Sequence, residues 1–183
     1  MEMNVLNISK KESDNIPNTC KNNNCTAELS LPEKEGSDLR KPLTVCFVCS
    51  GNTCRSPMAA AVLNHFGKGK YRAFSAGLSA SDGDPISEEA VNALREAGIE
   101  NTPQNDYVSH KAVFVNPEML ERCDKIIAVS KNHMLALIYT FPQLAEKISV
   151  MSQDIPDPFM RGAEVYKDCL SKIIACIKEM FNL

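Results

Sequence analysis

The chain predicts an α/β fold of three layers, with helices covering both faces of a parallel sheet. Two observations carry that expectation. Apolar, β-branched runs recur at Val45-Cys46-Phe47-Val48 and at residues 71–78, 125–130 and 147–152, and segments with helical spacing lie between them. Parallel neighbours in a sheet need a long crossover, which a helix supplies. The second observation is size: 183 residues, 44% of them apolar, suit one core-forming domain plus an appendage.

The elements follow in order. The first strand ends in Cys49-Ser50-Gly51-Asn52-Thr53-Cys54-Arg55-Ser56. Pro57 then stands where the first turn of a helix begins, because its missing N–H would have no partner there in any case. That helix runs to about Phe66, and Tyr71 to Leu78 forms the second strand. Ser87 caps a helix continuing through Ala97, with Glu88 and Glu89 at its positive end and Gly98 past its last turn. Asn116-Pro117-Glu118 opens a short helix near Cys123. Lys125 to Ser130 forms a buried strand, Asn132 to about Phe141 a helix, and Lys147 to Ser152 the last strand. From Ala163 to Phe181, the residues Val165, Cys169, Leu170, Ile173, Ile174 and Ile177 keep helical spacing.

Residues 1–42 differ from the rest. Asn, Lys, Glu and Ser dominate, and apolar residues are too sparse to offset the entropy of ordering. A disordered extension is expected there, with Pro42 at its boundary and the folded domain at 43–183.

Chemistry concentrates in the loop after the first strand. A strand, a tight loop and a helix start make an anion cradle, in which successive N–H groups and the positive helix end converge on one tetrahedral dianion. Arg55 adds a planar fork matched to two of its oxygens. The same field favours a thiolate at Cys49, and Ser56 is placed both to cap the helix and to donate its hydroxyl hydrogen to that sulfur. A nucleophile beside an oxyanion clamp implies attack on phosphorus. An ordinary buried cysteine would explain Cys49 alone. It would leave unexplained Gly51 and Asn52 where unusual dihedrals are expected, Arg55 at its offset, and Ser56-Pro57 opening a helix. No Gly-Lys-Ser/Thr follows, so a Walker-type nucleotide loop is excluded.

Composition excludes other classes. A net charge of −3 gives no footprint for nucleic acid. Neither a signal-peptide core nor a membrane-spanning run is present, so no membrane partner is expected and the eight cysteines belong to a reducing cytoplasm. Cys46, Cys169 and Cys176 fall in apolar patterns that suit packing. Zinc is argued against, although Cys46 and Cys49 form C-x-x-C and Cys20 and Cys25 another close pair. Strand positions three apart face opposite ways, so Cys46 and Cys49 could not chelate one ion as a knuckle does. No metal or other cofactor is implied.

The run Cys49-Ser50-Gly51-Asn52-Thr53-Cys54-Arg55-Ser56-Pro57-Met58 resembles the signature of the low-molecular-weight protein tyrosine phosphatases, and the resemblance extends from about Leu43 to Leu183. Asp157-Pro158-Phe159 matches that family's second landmark, and Ser75-Ala76-Gly77 and His110 match further family positions. The resemblance implies a flavodoxin-like, Rossmann-like fold with a four-stranded sheet in order 2-1-3-4. Ligands in such folds bind beyond the carboxyl ends of the strands. Both motifs emerge at that edge and should meet there.

The resemblance further implies a phosphorylated protein substrate, with Cys49 as nucleophile, Arg55 and the amides of residues 50–56 on the phosphoryl oxygens, and Asp157 as general acid and then base. Asp154 is the local rival of Asp157, and it also reads as a loop solvator. Asn52 should fix the loop by hydrogen bonds and His110 should order it from behind, while Cys54 can form a reversible disulfide with the nucleophile or be merely a small packed side chain.

The substrate class turns on Thr53. Tyrosine-directed members commonly place a bulky aliphatic before the second cysteine, whereas bacterial protein-arginine phosphatases place threonine. The chain also has no tryptophan, and Met160 follows Phe159 where tyrosine-directed members often have a second aromatic. A smaller, more polar pocket suits a guanidinium better than a phenol. The reading therefore leans to phosphoarginine, with Thr53 and Phe159 lining the substrate pocket. Phosphotyrosine hydrolysis, thioredoxin-coupled arsenate reduction through Cys123, and an inactive phosphate-binding module remain as alternatives.

Overall fold

The structure is a computed structural model, and it describes residues 41–183. Apart from Lys41 and Pro42, the expected extension lies outside the described residues. The elements are β1 (Leu43–Cys49), α1 (Arg55–Phe66), β2 (Tyr71–Gly77), α2 (Glu88–Glu96), α3 (Pro117–Glu121), β3 (Lys125–Ala128), α4 (Lys131–Thr140), β4 (Ile148–Val150) and α5 (Ala163–Phe181). The four strands form one sheet in the order β2-β1-β3-β4, and every neighbouring pair is parallel. Fold class and strand order are therefore as expected.

Period-two alternation along β1 divides the core into two layers. Val45, Phe47 and Cys49 pack with Met58, Val62, Leu94, Leu170 and Ile173 from α1, α2 and α5. Cys46 and Val48 face the other way, into Leu120, Leu137 and Phe141 beside α3 and α4. Phe47, Val48, Val62 and Ile173 are fully buried, and each such side chain contributes about 1.5–3 kcal/mol by leaving water. The same alternation puts the sulfurs of Cys46 and Cys49 on opposite faces of the sheet. Among the described residues no helix is long and apolar enough to cross a membrane.

Several boundaries shift for local reasons. α1 starts at Arg55, two residues before Pro57, and Ser56 does not cap it: the N-cap is Cys54, without a side-chain cap hydrogen bond. The side chain of Ser56 is buried and occupied inside the site instead. Ser87 is the N-cap of α2, but through its backbone position and not through a side-chain hydrogen bond. In α3 the cap is made by the side chain, with Met119 N donating to Asn116 Oδ1 at 2.9 Å. β3 stops at Ala128, and β4 is only three residues long because a 3-10 turn occupies Pro142–Lys147. α4 begins at Lys131, where Asp154 Oδ1 accepts the Lys131 N–H at 2.8 Å.

This arrangement sets the place of the site. β1 ends at Cys49 directly beside Gly77, the last residue of β2. A Cβ at Gly77 would lie 2.4 Å from Ser50 O and 3.0 Å from Asn52 Cβ, so only glycine lets the loop after β1 cross the end of β2. The chain after β4 rises from the same end of the sheet, since Met151 N bonds to Ala128 O, the last residue of β3, and Ile155 N to Val129 O just past it.

Candidate active site

The loop between β1 and α1 is held from within by one asparagine. Asn52 is fully buried and takes φ 58°, in the left-handed region that asparagine tolerates better than most residues. Its Nδ2 donates to Ser56 Oγ at 2.9 Å and to Ser75 Oγ at 2.8 Å, and its Oδ1 accepts from Val113 N at 2.9 Å. Both Nδ2 hydrogens and the Oδ1 oxygen of that amide are thus engaged. His110 Nε2 lies 2.8 Å from Asn52 O, and because a carbonyl only accepts, Nε2 carries the proton. Burial, the largest influence, lowers the pKa of His110 and keeps the ring neutral for that role. Gly51 departs from expectation: it is not among the positive-φ residues, and a Cβ there would meet only Thr53 Oγ1 at an ordinary 3.7 Å.

Cys49 lies at the floor, 2% exposed. Its Sγ is 2.9 Å from Ser56 Oγ and accepts from Asn52 N at 3.3 Å. Ser56 already accepts from Asn52, so its single hydrogen goes either to Cys49 Sγ or to Ala76 O at 3.3 Å. A thiolate can only accept, and its formation would fix that hydrogen on sulfur. The balance at Cys49 differs from the sequence expectation of a depressed pKa. Burial, the largest influence, pushes the thiol up, against the lowering effects of Ser56, Arg55 and Asn52 N. The cause is the depth of the sulfur at the end of β1, which outweighs the helix start and the nearby Arg55.

Arg55 is 6% exposed, and its Nη2 donates to Asp157 Oδ2 at 2.5 Å. The two motifs, a hundred residues apart, thus meet over Cys49. Arg55 Nη1 donates to Ile155 O at 3.4 Å and Nη2 to Ser50 Oγ at 3.4 Å. Asp157 itself is half exposed, with 52% of its side chain open to water, and Oδ1 accepts from Phe159 N at 3.2 Å. Asp154 is spent elsewhere, on the first turn of α4. Thr53 and Phe159 both line the cleft above Cys49, an open space of about 290 Å³ that also takes in Ser79, Ser81 and Asp84.

Several site neighbours were missed by sequence reasoning. His133 on α4 is 9% exposed and joins Ser50 to Ser130: Ser50 Oγ is 2.9 Å from Nε2, and Ser130 Oγ is 2.5 Å from Nδ1. Arg55 can only donate, so Ser50 accepts from it and passes its own hydrogen to Nε2, which leaves the ring proton on Nδ1. Burial and then Arg55 lower the pKa of His133, which keeps it in that neutral form. Cys54 is also more occupied than expected. Its Sγ lies 3.1 Å from Tyr166 Oη, 3.4 Å from Ser87 Oγ and 3.6 Å from Thr53 Oγ1. Cys169 packs behind, its thiol pushed up to about 12 by burial. All six cysteines among the described residues are free thiols.

Comparison with known proteins follows the same lines. The family model described as "Low molecular weight phosphotyrosine protein phosphatase" matches residues 44–182. A protein-arginine-phosphatase of Geobacillus stearothermophilus is 33% identical over 133 residues, spanning 69% of this chain and 85% of its own. A low molecular weight protein tyrosine phosphatase from T. tengcongensis superposes with a TM-score of 0.70 at 34% identity, covering 76% of this chain and 98% of that one. YwlE arginine phosphatase, solved as a Cys-to-Ser mutant with a phosphorylated active-site serine, superposes with a TM-score of 0.67 at 27% identity, covering 76% and 94%. A match running from the second residue of β1 to within one residue of the C-terminus, with the same fold, makes this chain a member of the low-molecular-weight phosphotyrosine protein phosphatase family.

Proposed function

We propose that the chain hydrolyses phosphoarginine side chains of proteins through a phosphocysteine intermediate on Cys49. The observation that carries the mechanism is the convergence of Cys49, Arg55 and Asp157 on one cleft. A phosphoryl group entering it competes with Asp157 for Arg55, since a guanidinium clamps either anion with the same fork. Once Arg55 turns to the phosphoryl oxygens, its charge also lies nearer the sulfur. Asp157, left beside a dianion, takes up a proton, and Cys49 gives one up, held as thiolate by Ser56 Oγ and Asn52 N. The thiolate then attacks phosphorus, the bond to the leaving nitrogen or oxygen breaks, and Asp157 protonates the leaving atom. In the second half, Asp157 takes a proton from water as the water oxygen attacks phosphorus and the S–P bond breaks, so that phosphate leaves and the thiolate returns.

Asp157→Asn should lower hydrolysis of poor leaving groups by about a hundredfold and of activated aryl phosphates far less. Asp154→Asn, which keeps an acceptor for Lys131 N, should change little. Kinetics across a leaving-group series decides, and the reverse ranking would reassign the acid.

Thr53 in the pocket wall supports the phosphoarginine reading, as does the likeness to relatives named protein-arginine phosphatases. Many relatives and solved neighbours are named tyrosine phosphatases, and phosphotyrosine is the second reading. An arsenate relay through Cys123 is disfavoured, because that sulfur is buried on the face of the sheet opposite Cys49 and donates to Met119 O. The buried free thiols suit a reducing, cytoplasmic setting. The two substrate readings separate with matched phosphoarginine and phosphotyrosine peptides, which the purified protein should turn over in favour of phosphoarginine. Thr53→Ile adds aliphatic bulk beside the phosphoryl site and removes a hydroxyl. It should shift that preference toward phosphotyrosine by about ten- to two-hundredfold, the scale of one pocket contact. A wild type that already prefers phosphotyrosine would return the chain to the tyrosine-directed members.

A further inference from the structure

We propose that Asp84 is a specificity-determining residue of this site, a carboxylate that receives the guanidinium of the substrate on the wall opposite Asp157. The inference rests on the phosphoarginine reading and deepens it. The cleft has two walls of different origin. One is the segment after β2, which brings Ser79, Ser81 and Asp84; the other is the segment after β4, which brings Asp157 and Phe159. β2 and β4 are the outer strands of the sheet, so these segments face each other across the end of β1.

The backbone under Asp84 is fixed on both sides. Asp84 N donates to Ser81 O at 3.2 Å, Asp84 O accepts from Ala112 N at 2.7 Å, and Gly83 N donates back to Ala112 O at 2.9 Å. At the end of the same segment Ser87 N donates to Thr53 O at 2.9 Å, which ties this wall to the phosphate loop itself. The neighbouring Asp82 is consumed structurally, accepting from Phe114 N at 2.6 Å. Asp84 is not. The ion pairs among the described residues join Arg55 to Asp157 and Lys167 to Glu96 and Glu164, and no side-chain hydrogen bond among those residues engages the Asp84 carboxylate.

Charge then separates the two substrate classes. The cleft is lined by one cation, Arg55, and two carboxylates, Asp84 and Asp157. With Arg55 committed to the phosphoryl oxygens, what remains around the leaving group is acidic. A phenol ring gains nothing from a carboxylate on the rim. A guanidinium is planar, and the N–H groups that do not face Asp157 point outward toward the opposite wall, where a fixed carboxylate accepts them. Asp84 is exposed, so water and salt weaken this contact and set its scale.

The test is Asp84→Asn, assayed with a phosphoarginine peptide, the matched phosphotyrosine peptide and an activated aryl phosphate. The ratio of phosphoarginine to aryl-phosphate kcat/KM should fall about five- to tenfold, the scale of one screened, charge-assisted contact. Raising the ionic strength should compress that ratio in the wild type more than in the variant. A wild type that prefers phosphoarginine, with the ratio unchanged by Asp84→Asn, overturns the role of Asp84 and leaves the phosphoarginine reading standing. A wild type that prefers phosphotyrosine overturns that reading and this inference with it. Asp84→Lys, which opposes a guanidinium directly, should lower the ratio further than Asp84→Asn, and an equal or higher ratio also counts against the proposal.

Discussion

Cys49→Ser is expected to lower steady-state phosphate release by at least about a thousandfold while leaving the fold and phosphate binding in place. The side chain is 2% exposed, and its two hydrogen-bonding neighbours, Ser56 Oγ and Asn52 N, fit an oxygen as well as a sulfur. Nothing in the packing therefore breaks. What is lost is the anion, since a serine hydroxyl holds its proton far more firmly than a thiol. Phosphate release and a thermal melt on the same preparation check this. Turnover near that of the wild type would mean that phosphoryl transfer bypasses residue 49.

Arg55→Lys should cost about a thousandfold in kcat/KM, the upper end of what one oxyanion donor contributes. The guanidinium reaches Asp157 Oδ2, Ser50 Oγ and Ile155 O at once, and so spans the loop, the β4–α5 segment and the space above Cys49. An ammonium keeps the charge but is a point donor, and it cannot make two parallel hydrogen bonds to a planar set of phosphoryl oxygens. It also cannot carry the exchange of partners, from carboxylate to phosphoryl group, that would ready both Cys49 and Asp157. Steady-state kinetics with an orthovanadate titration measures both losses. Near-normal values would show that the loop amides suffice without the fork.

How much of this was readable in the sequence follows from what is local. The strands and α5 came through because apolar period carries them, and α5 spans Ala163–Phe181 as its spacing requires, whereas the strand order 2-1-3-4 came from the family resemblance. The placement of the loop residues was readable because one short stretch holds Cys49, proposed as the nucleophile, Arg55 with its fork, and Asn52 at positive φ. Ser56 was misjudged as a cap because Ser before Pro ordinarily caps. Here a tertiary demand prevailed, since its hydroxyl oxygen accepts from Asn52 Nδ2 and lies 2.9 Å from the sulfur of Cys49. The lowered thiol expected at Cys49 failed for a similar reason: nothing local in the sequence showed how deeply the sulfur would be buried, and burial outweighs the lowering effects of Ser56, Arg55 and Asn52 N. His133, Tyr166 and Asp84 carry no local signal at all. His133 stands one helical turn before buried Leu137 and reads as a core position, Tyr166 lies on the apolar stripe of α5, and Asp84 is one more acid in a Gly-containing turn. Each reaches the site only because strands distant in sequence end side by side.

The covalent phosphocysteine is the centre of this account, and it is trapped most directly in Asp157→Asn, where loss of the second-step base slows hydrolysis of the intermediate. The variant is mixed with an activated aryl phosphate, quenched in acid within its first turnovers and digested for mass spectrometry. A phosphoryl group is expected on Cys49, lost on neutral incubation and absent from Cys49→Ser,Asp157→Asn. Phosphate release in the first turnover with no phosphoryl group on Cys49, or with one on another residue, would contradict it.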